Sequence, residues 1–116
     1  MAEDRLKALL AIAEAQPAEV MIWYGLANEY VKLERWLEAV DALQRTIALN
    51  ADYTSAYQML GTALMKQGRR EEARVAWTEG IQVAARTGAW NARQHMERLL
   101  AGSEDAVGEG SEFCGE

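Results

Sequence analysis

Apolar residues recur along most of this chain at the spacing of amphipathic helices. The first stripe consists of Leu6, Leu9, Leu10 and Ala13 and stops before Pro17, and stripes of the same period continue through most of the chain. The alternation of apolar and polar residues that is typical of strands is almost absent. We therefore predict an all-α protein with about six helices, at about residues 3–15, 19–33, 36–49, 53–67, 70–87 and 89–101.

The pattern of residues 22–49 occurs a second time in residues 56–83, at an offset of 34. Matched positions hold the same or a physically equivalent residue. The pairs include Trp23 with Tyr57, Leu26 with Leu60, Ala27 with Gly61, Lys32 with Lys66, Ala39 with Ala73 and Leu43 with Trp77. A repeat of this length indicates stacked helical hairpins. The small residues of these pairs are expected where two helices approach closely.

The repeated pattern resembles the tetratricopeptide repeat over about two thirds of the chain. The first copy has Trp23-x-x-Leu26-Ala27-x-x-Tyr30, Trp36-x-Glu38-Ala39 and Ile47-x-Leu49-Asn50, and the second has Tyr57-x-x-Leu60-Gly61-x-x-Leu64, Gly68-Arg69, Glu72-Ala73, Trp77 and Gly80-Ile81. The chain departs from the family at Ala51 and Ala85, where proline is usual, and at Glu34, where glycine is usual. The resemblance implies a short right-handed solenoid of antiparallel helical hairpins.

The same resemblance divides the chain into segments. It implies a capping helix in residues 1–17, two repeats in residues 18–51 and 52–87, and a second capping helix in residues 88–101. Residues 102–116 are rich in glycine, serine and glutamate and hold too little apolar surface to offset the entropy of ordering them. We therefore predict that they form a flexible acidic tail.

The negative charge of the chain is concentrated at its end. The net charge is −6, but residues 1–101 hold thirteen acids against twelve bases, so this part is nearly neutral. Nucleic acid requires a basic surface, and we predict none of it as a partner. The acidic start and the lack of a long apolar stretch argue against a signal peptide and a membrane span. We therefore predict a cytoplasmic protein.

Side chains that could carry out catalysis are scarce. The chain has one histidine, His95, and one cysteine, Cys114, and none of the usual zinc-protease, phosphate-loop or nucleophile-elbow motifs. A structural zinc site requires four cysteine or histidine ligands. We therefore predict no enzymatic activity, no metal and no cofactor.

In tetratricopeptide stacks the first helix of each hairpin faces a concave groove. By that resemblance, the residues facing the groove would be Met21, Tyr24, Asn28, Val31, Lys32, Ser55, Gln58, Thr62, Met65, Lys66 and Met96. Methionine and tyrosine edged by short amides suit a peptide better than a small polar substrate. The family's two-carboxylate clamp matches only at Asn28, because Tyr24 and Met59 stand where a lysine and an asparagine are expected.

These observations predict a protein–protein interaction module for a peptide or helix of a partner. Lys32 and Lys66 favour an acidic segment, and the apolar groove favours large side chains. Trp23, Trp36 and Trp77 are predicted core residues, whereas Trp90 is left open between packing and exposure. The alternative is a structural unit that forms homo-oligomers through its end caps, with Trp90 in the contact. A separate hypothesis is that the tail, through Phe113, folds into the groove.

Overall fold

The computed structural model describes the backbone of residues 2–115 and the side chains of residues 3–103. Within these residues the chain is all helical and contains no strand, which confirms the predicted fold class. The helices are α1 (Ala2–Ala15), α2 (Val20–Lys32), α3 (Trp36–Leu49), α4 (Thr54–Lys66), α5 (Arg70–Thr87) and α6 (Trp90–Gly115).

Each helix packs against the next one along the chain. The helices α2 and α3 form one hairpin, α4 and α5 form the second, and α1 and α6 cover the two ends. A single apolar core runs through all six helices. The four small residues predicted at the crossings, Ala27, Gly61, Ala39 and Ala73, are all buried.

One close crossing lies between α4 and α5. The indole of Trp77 lies over Gly61, and its Nε1 donates a hydrogen bond of 3.2 Å to the backbone carbonyl oxygen of Gln58. A Cβ atom placed on Gly61 would lie 2.5 Å from Trp77 Cε2 and nearer still to Nε1 and Cδ1. Carbon atoms pack best at about 3.5–4.0 Å, so this position requires glycine.

The turns inside the two hairpins have the same hydrogen bonds, 34 residues apart. The amide of Arg35 donates to the carbonyl of Tyr30, and that of Arg69 donates to Leu64, both at 2.9 Å. The residue before each arginine has a positive φ, 57° at Glu34 and 77° at Gly68. Glycine adopts this conformation freely, whereas glutamate is strained in it. The first turn therefore keeps the same geometry as the second at some cost in stability.

The tryptophans follow the predicted pattern. Trp77 is buried, and Trp23 and Trp36 are half-buried against the core. The indole nitrogen of Trp23 donates a hydrogen bond of 2.8 Å to the carbonyl oxygen of Pro17, which ties the loop after α1 to α2. The fourth tryptophan, Trp90, is exposed, and the guanidinium of Arg93 lies 5.5 Å from its ring centroid.

The last helix is longer than the sequence analysis predicted. It extends to Gly115 rather than ending near residue 101. Residues 102–115 contain no proline, so neither a missing amide hydrogen nor a ring clash ends the helix. The side chains of residues 104–116 lie outside the described part of the structure. The flexibility of this acidic tail and its return to the groove therefore stay predictions.

Candidate functional site

The predicted groove residues of α2 and α4 all keep solvent-accessible surface. Four of them are exposed: Met21, Lys32, Ser55 and Lys66. The others are half-buried: Tyr24, Asn28, Val31, Gln58, Thr62 and Met65. A partner can therefore reach these apolar and amide side chains on both helices.

The prediction for Met96 is wrong. Its side chain is 0% exposed and belongs to the core. It packs over Gly80 of α5, where a Cβ atom would lie only 2.5 Å from the methionine sulfur. The absence of a side chain at Gly80 leaves the space that Met96 fills, so α6 directs this residue inward. Met96 is therefore unavailable to a ligand.

An aromatic pair joins α2 to the start of α4. The ring centroids of Tyr24 and Tyr53 are 4.8 Å apart, with an angle of 40° between the ring planes. Burial, and to a smaller extent the neighbouring Tyr24, raises the pKa of Tyr53. Tyr53 was not among the predicted site residues, because the repeat offset aligns it with Glu19. Only its aromatic character could have indicated it.

Two amide side chains on the accessible surface are free to bind. Within residues 3–103, the side-chain amides of Asn28 and Gln58 have no hydrogen-bond partner. The hydroxyl of Thr62, in contrast, already has a partner, because it donates a hydrogen bond of 3.2 Å to the backbone carbonyl of Gln58. An amide offers both donors and an acceptor. Asn28 and Gln58 therefore match the alternating groups of a peptide backbone.

The two predicted groove lysines have different surroundings. The Nζ atom of Lys32 lies 3.4 Å from the carboxylate of Glu29. That carboxylate is almost completely buried and also lies 3.6 Å from the guanidinium of Arg5. The position equivalent to Glu29 in the second repeat is Ala63, and Lys66 has no ion-pair partner among the described side chains. Lys66 is therefore the more available cation.

Metal binding finds no support in the part of the chain whose side chains are described. In that part, no three histidine, cysteine, aspartate or glutamate side chains are grouped to hold an ion. His95 is exposed on α6, and Cys114 lies outside the described side chains. None of the helices, as far as they are described, is long and apolar enough to cross a membrane.

Two curated proteins are similar to this chain in sequence. The TPR repeat-containing protein PA0015 of Pseudomonas aeruginosa is 29% identical over 80 residues, which cover 69% of this chain and 76% of that protein. Protein NPGR2 of Arabidopsis thaliana is 32% identical over 73 residues, or 62% of this chain. The chain spans only 10% of the length of NPGR2. No protein-family model matches the chain.

Solved structures share this fold over most of the chain. Protein BPP2914 from Bordetella parapertussis has a TM-score of 0.75 at 27% identity, over 90% of each chain. The TPR2B domain of yeast Sti1, in a pHsp70 complex, has a TM-score of 0.83 at 15% identity, over 90% of this chain and 84% of that one. The first TPR of Spaghetti (RPAP3), bound to the HSP90 peptide SRMEEVD, has a TM-score of 0.69 at 22% identity, over 86% of this chain and 80% of that one.

The repeat, the helical hairpins and these similarities give one result. This chain is similar to tetratricopeptide-repeat proteins in sequence and has their fold, an all-α helical-repeat solenoid.

Proposed function

We propose that this chain is a non-catalytic module that binds a segment of a partner protein along α2 and α4. The observation that carries the proposal is the combination of accessible apolar side chains with unpartnered amides on these two helices. The apolar part is formed by Tyr24, Met65 and the exposed Met21, and the amides are those of Asn28 and Gln58. We further propose a cytoplasmic location, which cell fractionation would test.

The partner's apolar side chains are buried against the tyrosine and methionine residues. Burial of one large apolar side chain stabilises by about 1.5–3 kcal/mol, so a few such contacts supply most of the affinity. The amides of Asn28 and Gln58 fix the orientation of the partner backbone. Lys66, and less directly Lys32, favour an acidic segment by speeding association and selecting its direction.

Two of the structural neighbours support this proposal. The TPR domains of Sti1 and RPAP3 are described as complexes with pHsp70 and with an HSP90 peptide. Their identities to this chain are 15% and 22%, so they share the fold and do not identify the ligand. Because Tyr24 and Met59 stand where a carboxylate clamp has a lysine and an asparagine, we propose a more apolar partner segment here.

Photo-crosslinking tests where the partner binds. A photoreactive amino acid is placed at Asn28 and, as the control, at Leu37 of α3, which is 67% exposed. We expect the variant at residue 28 to capture a partner from a cell lysate, and the variant at residue 37 not to capture it. With the captured partner purified, Tyr24→Ser combined with Met65→Ser should weaken binding about tenfold or more.

Matched substitutions complete this test. Leu37→Ser should leave the affinity unchanged, and Lys66→Glu should weaken binding mainly at low salt, because exposed charges are screened beyond about 10 Å at 0.1 M. A partner that binds the Tyr24 and Met65 double variant as tightly as the parent would show that its site lies elsewhere.

Self-association through the ends is the second candidate function. The observation that favours it is Trp90, which is 59% exposed on the terminal helix α6, together with the exposed Ile12 on the opposite terminal helix α1. Sedimentation equilibrium over a dilution series separates the two functions. A mass that falls on dilution in the parent and is monomeric throughout in Trp90→Ser would support assembly. A monomer at every concentration would exclude it.

A further inference from the structure

A cavity opens where α4, α5 and α6 meet. It has a volume of about 350 Å³, and we call it the α6 cavity. Its lining residues are Met65, Trp77, Arg98, Leu99, Gly102 and Ser103. Met65 is one of the groove residues described above, so the α6 cavity adjoins the surface to which the proposed function assigns the partner.

The walls of the α6 cavity suit one large apolar side chain. Met65, Trp77 and Leu99 supply a thioether, an indole and an isobutyl group. A Cβ atom placed on Gly102 would meet nothing within 4 Å, so the side of the cavity at Gly102 is open. A cavity of about 150 Å³ holds a benzene molecule. The α6 cavity therefore has room for a phenylalanine ring together with part of the neighbouring backbone.

Two unpaired cations accompany these apolar walls. Arg98 lines the cavity, and Lys66 follows Met65 at the end of α4. Within the described side chains, neither cation has an ion-pair or hydrogen-bond partner, whereas Arg93 of the same helix pairs with Glu97 at 3.2 Å. No acid stands three or four residues from either one along its helix, so the helices themselves offer them no carboxylate.

We propose that the α6 cavity binds a phenylalanine-sized side chain of the partner, while an acidic residue next to it in the partner pairs with Arg98. This inference rests on the proposed function and specifies the chemistry of the segment: an aromatic anchor followed directly by one or two acids. Lys66 adds attraction for the same acids. Removing the anchor removes affinity at every salt concentration, and removing the acids removes it mainly at low salt.

A short peptide tests the α6 cavity directly. The probe is N-acetyl Ser-Phe-Glu-Asp-Gly amide, titrated to millimolar concentration into the full chain and followed by the NMR signal of the Trp77 indole N–H. We expect a saturable shift of this signal. Replacing the probe's phenylalanine by serine should weaken binding about tenfold or more. Replacing both acids by amides should weaken it severalfold at low salt, with the difference closing at high salt.

Substitutions at Gly102 provide a matched pair of variants. Gly102→Leu places a side chain in the open part of the cavity and should abolish the shift, whereas Gly102→Ala adds only a methyl group and should retain it. Both changes raise helix propensity, so neither should unfold the protein. Arg98→Gln should weaken the acidic probe towards the affinity of its amide form, and Arg98→Gln combined with Lys66→Gln should bring the two affinities together. Lys7→Gln, which removes an exposed cation from α1, should have no effect.

The outcomes separate this inference from the proposed function. A missing Trp77 shift, or equal binding by the Gly102→Leu and Gly102→Ala variants, overturns the α6 cavity as a site. If the captured partner then still depends on Tyr24, the proposed function stands alone. If binding of the partner depends on the open cavity but not on Tyr24, the α6 cavity stands as a site and the proposed binding surface along α2 is rejected. If Phe113→Ser moves the Trp77 signal without probe, the chain's own tail is the occupant and the partner assignment fails.

Discussion

The substitution Gly61→Ala tests the packing on which the fold depends. In a solvent-exposed helix this change would stabilise by about 1 kcal/mol, because alanine is the better helix former. In this protein the added Cβ would lie 2.5 Å from Trp77 Cε2, so the indole must move. Overpacking costs about 1–3 kcal/mol, and losing the bond from Trp77 to the Gln58 carbonyl costs about 0.5–1.5 kcal/mol more. We expect a net destabilisation of about 1–3 kcal/mol.

Urea denaturation followed by far-UV circular dichroism measures this effect. The matched control is Gly25→Ala in α2, where the new Cβ would lie 3.8 Å from both terminal methyl carbons of Leu9, an ordinary contact. That variant should gain about 0.5–1 kcal/mol. Each kcal/mol should also change the melting temperature by about 4–8 °C for a domain of this size.

The same substitution made in a Trp77→Phe variant tests whether Trp77 is the group that clashes with the added Cβ atom. Trp77→Phe removes Nε1 and shortens the side chain, so Gly61→Ala should be much less harmful in that background than in the parent. The difference is an interaction energy between the two positions. Equal losses in both backgrounds would refute the clash with Trp77 as the cause, and a gain in the parent would refute the close crossing itself.

Three further predictions concern turns and titrating groups. Glu34→Gly should stabilise the protein by about 0.5–1 kcal/mol, and Gly68→Ala should destabilise it by about 1 kcal/mol, because both positions have a positive φ. Chemical denaturation measures both changes in the free energy of unfolding, and two changes of the same sign would contradict this explanation. The hydrogen bond from Arg69 lowers the pKa of Glu72. The parent should therefore be more stable than Glu72→Gln above the unfolded-state pKa of this carboxyl, and this difference in stability should disappear as the pH falls through the folded-state pKa. Burial, above all, raises the pKa of Tyr57, so the parent should lose stability as the pH rises through that pKa and Tyr57→Phe should lose less. Denaturation at a series of pH values tests the predictions for Glu72 and Tyr57. If the stability of a variant changes with pH in parallel with that of the parent, the prediction for that residue is rejected.

The sequence alone determined the helices, their pairing and much of the core. Helical periodicity and a repeat at an offset of 34 are local properties, and they predicted both hairpins and the small residues at their crossings. They also indicated the equivalence of the turns at Glu34 and Gly68, which the shared hydrogen bonds confirm. The groove residues on α2 and α4 were predicted from the resemblance to the repeat family; the structure shows that they keep accessible surface, and their role in binding stays a prediction.

Contacts between helices that the repeat does not relate were decided only by the tertiary structure. The burial of Met96 depends on the rotation of α6 about its axis over Gly80, and α6 has no repeat partner from which this rotation could be predicted. The pair of Tyr24 with Tyr53 and the shared contact of Glu29 with Arg5 and Lys32 join residues outside the matched positions. The α6 cavity likewise is lined by residues of three different helices. Such features depend on crossing angles and distances between helices, which the period of a sequence pattern does not contain.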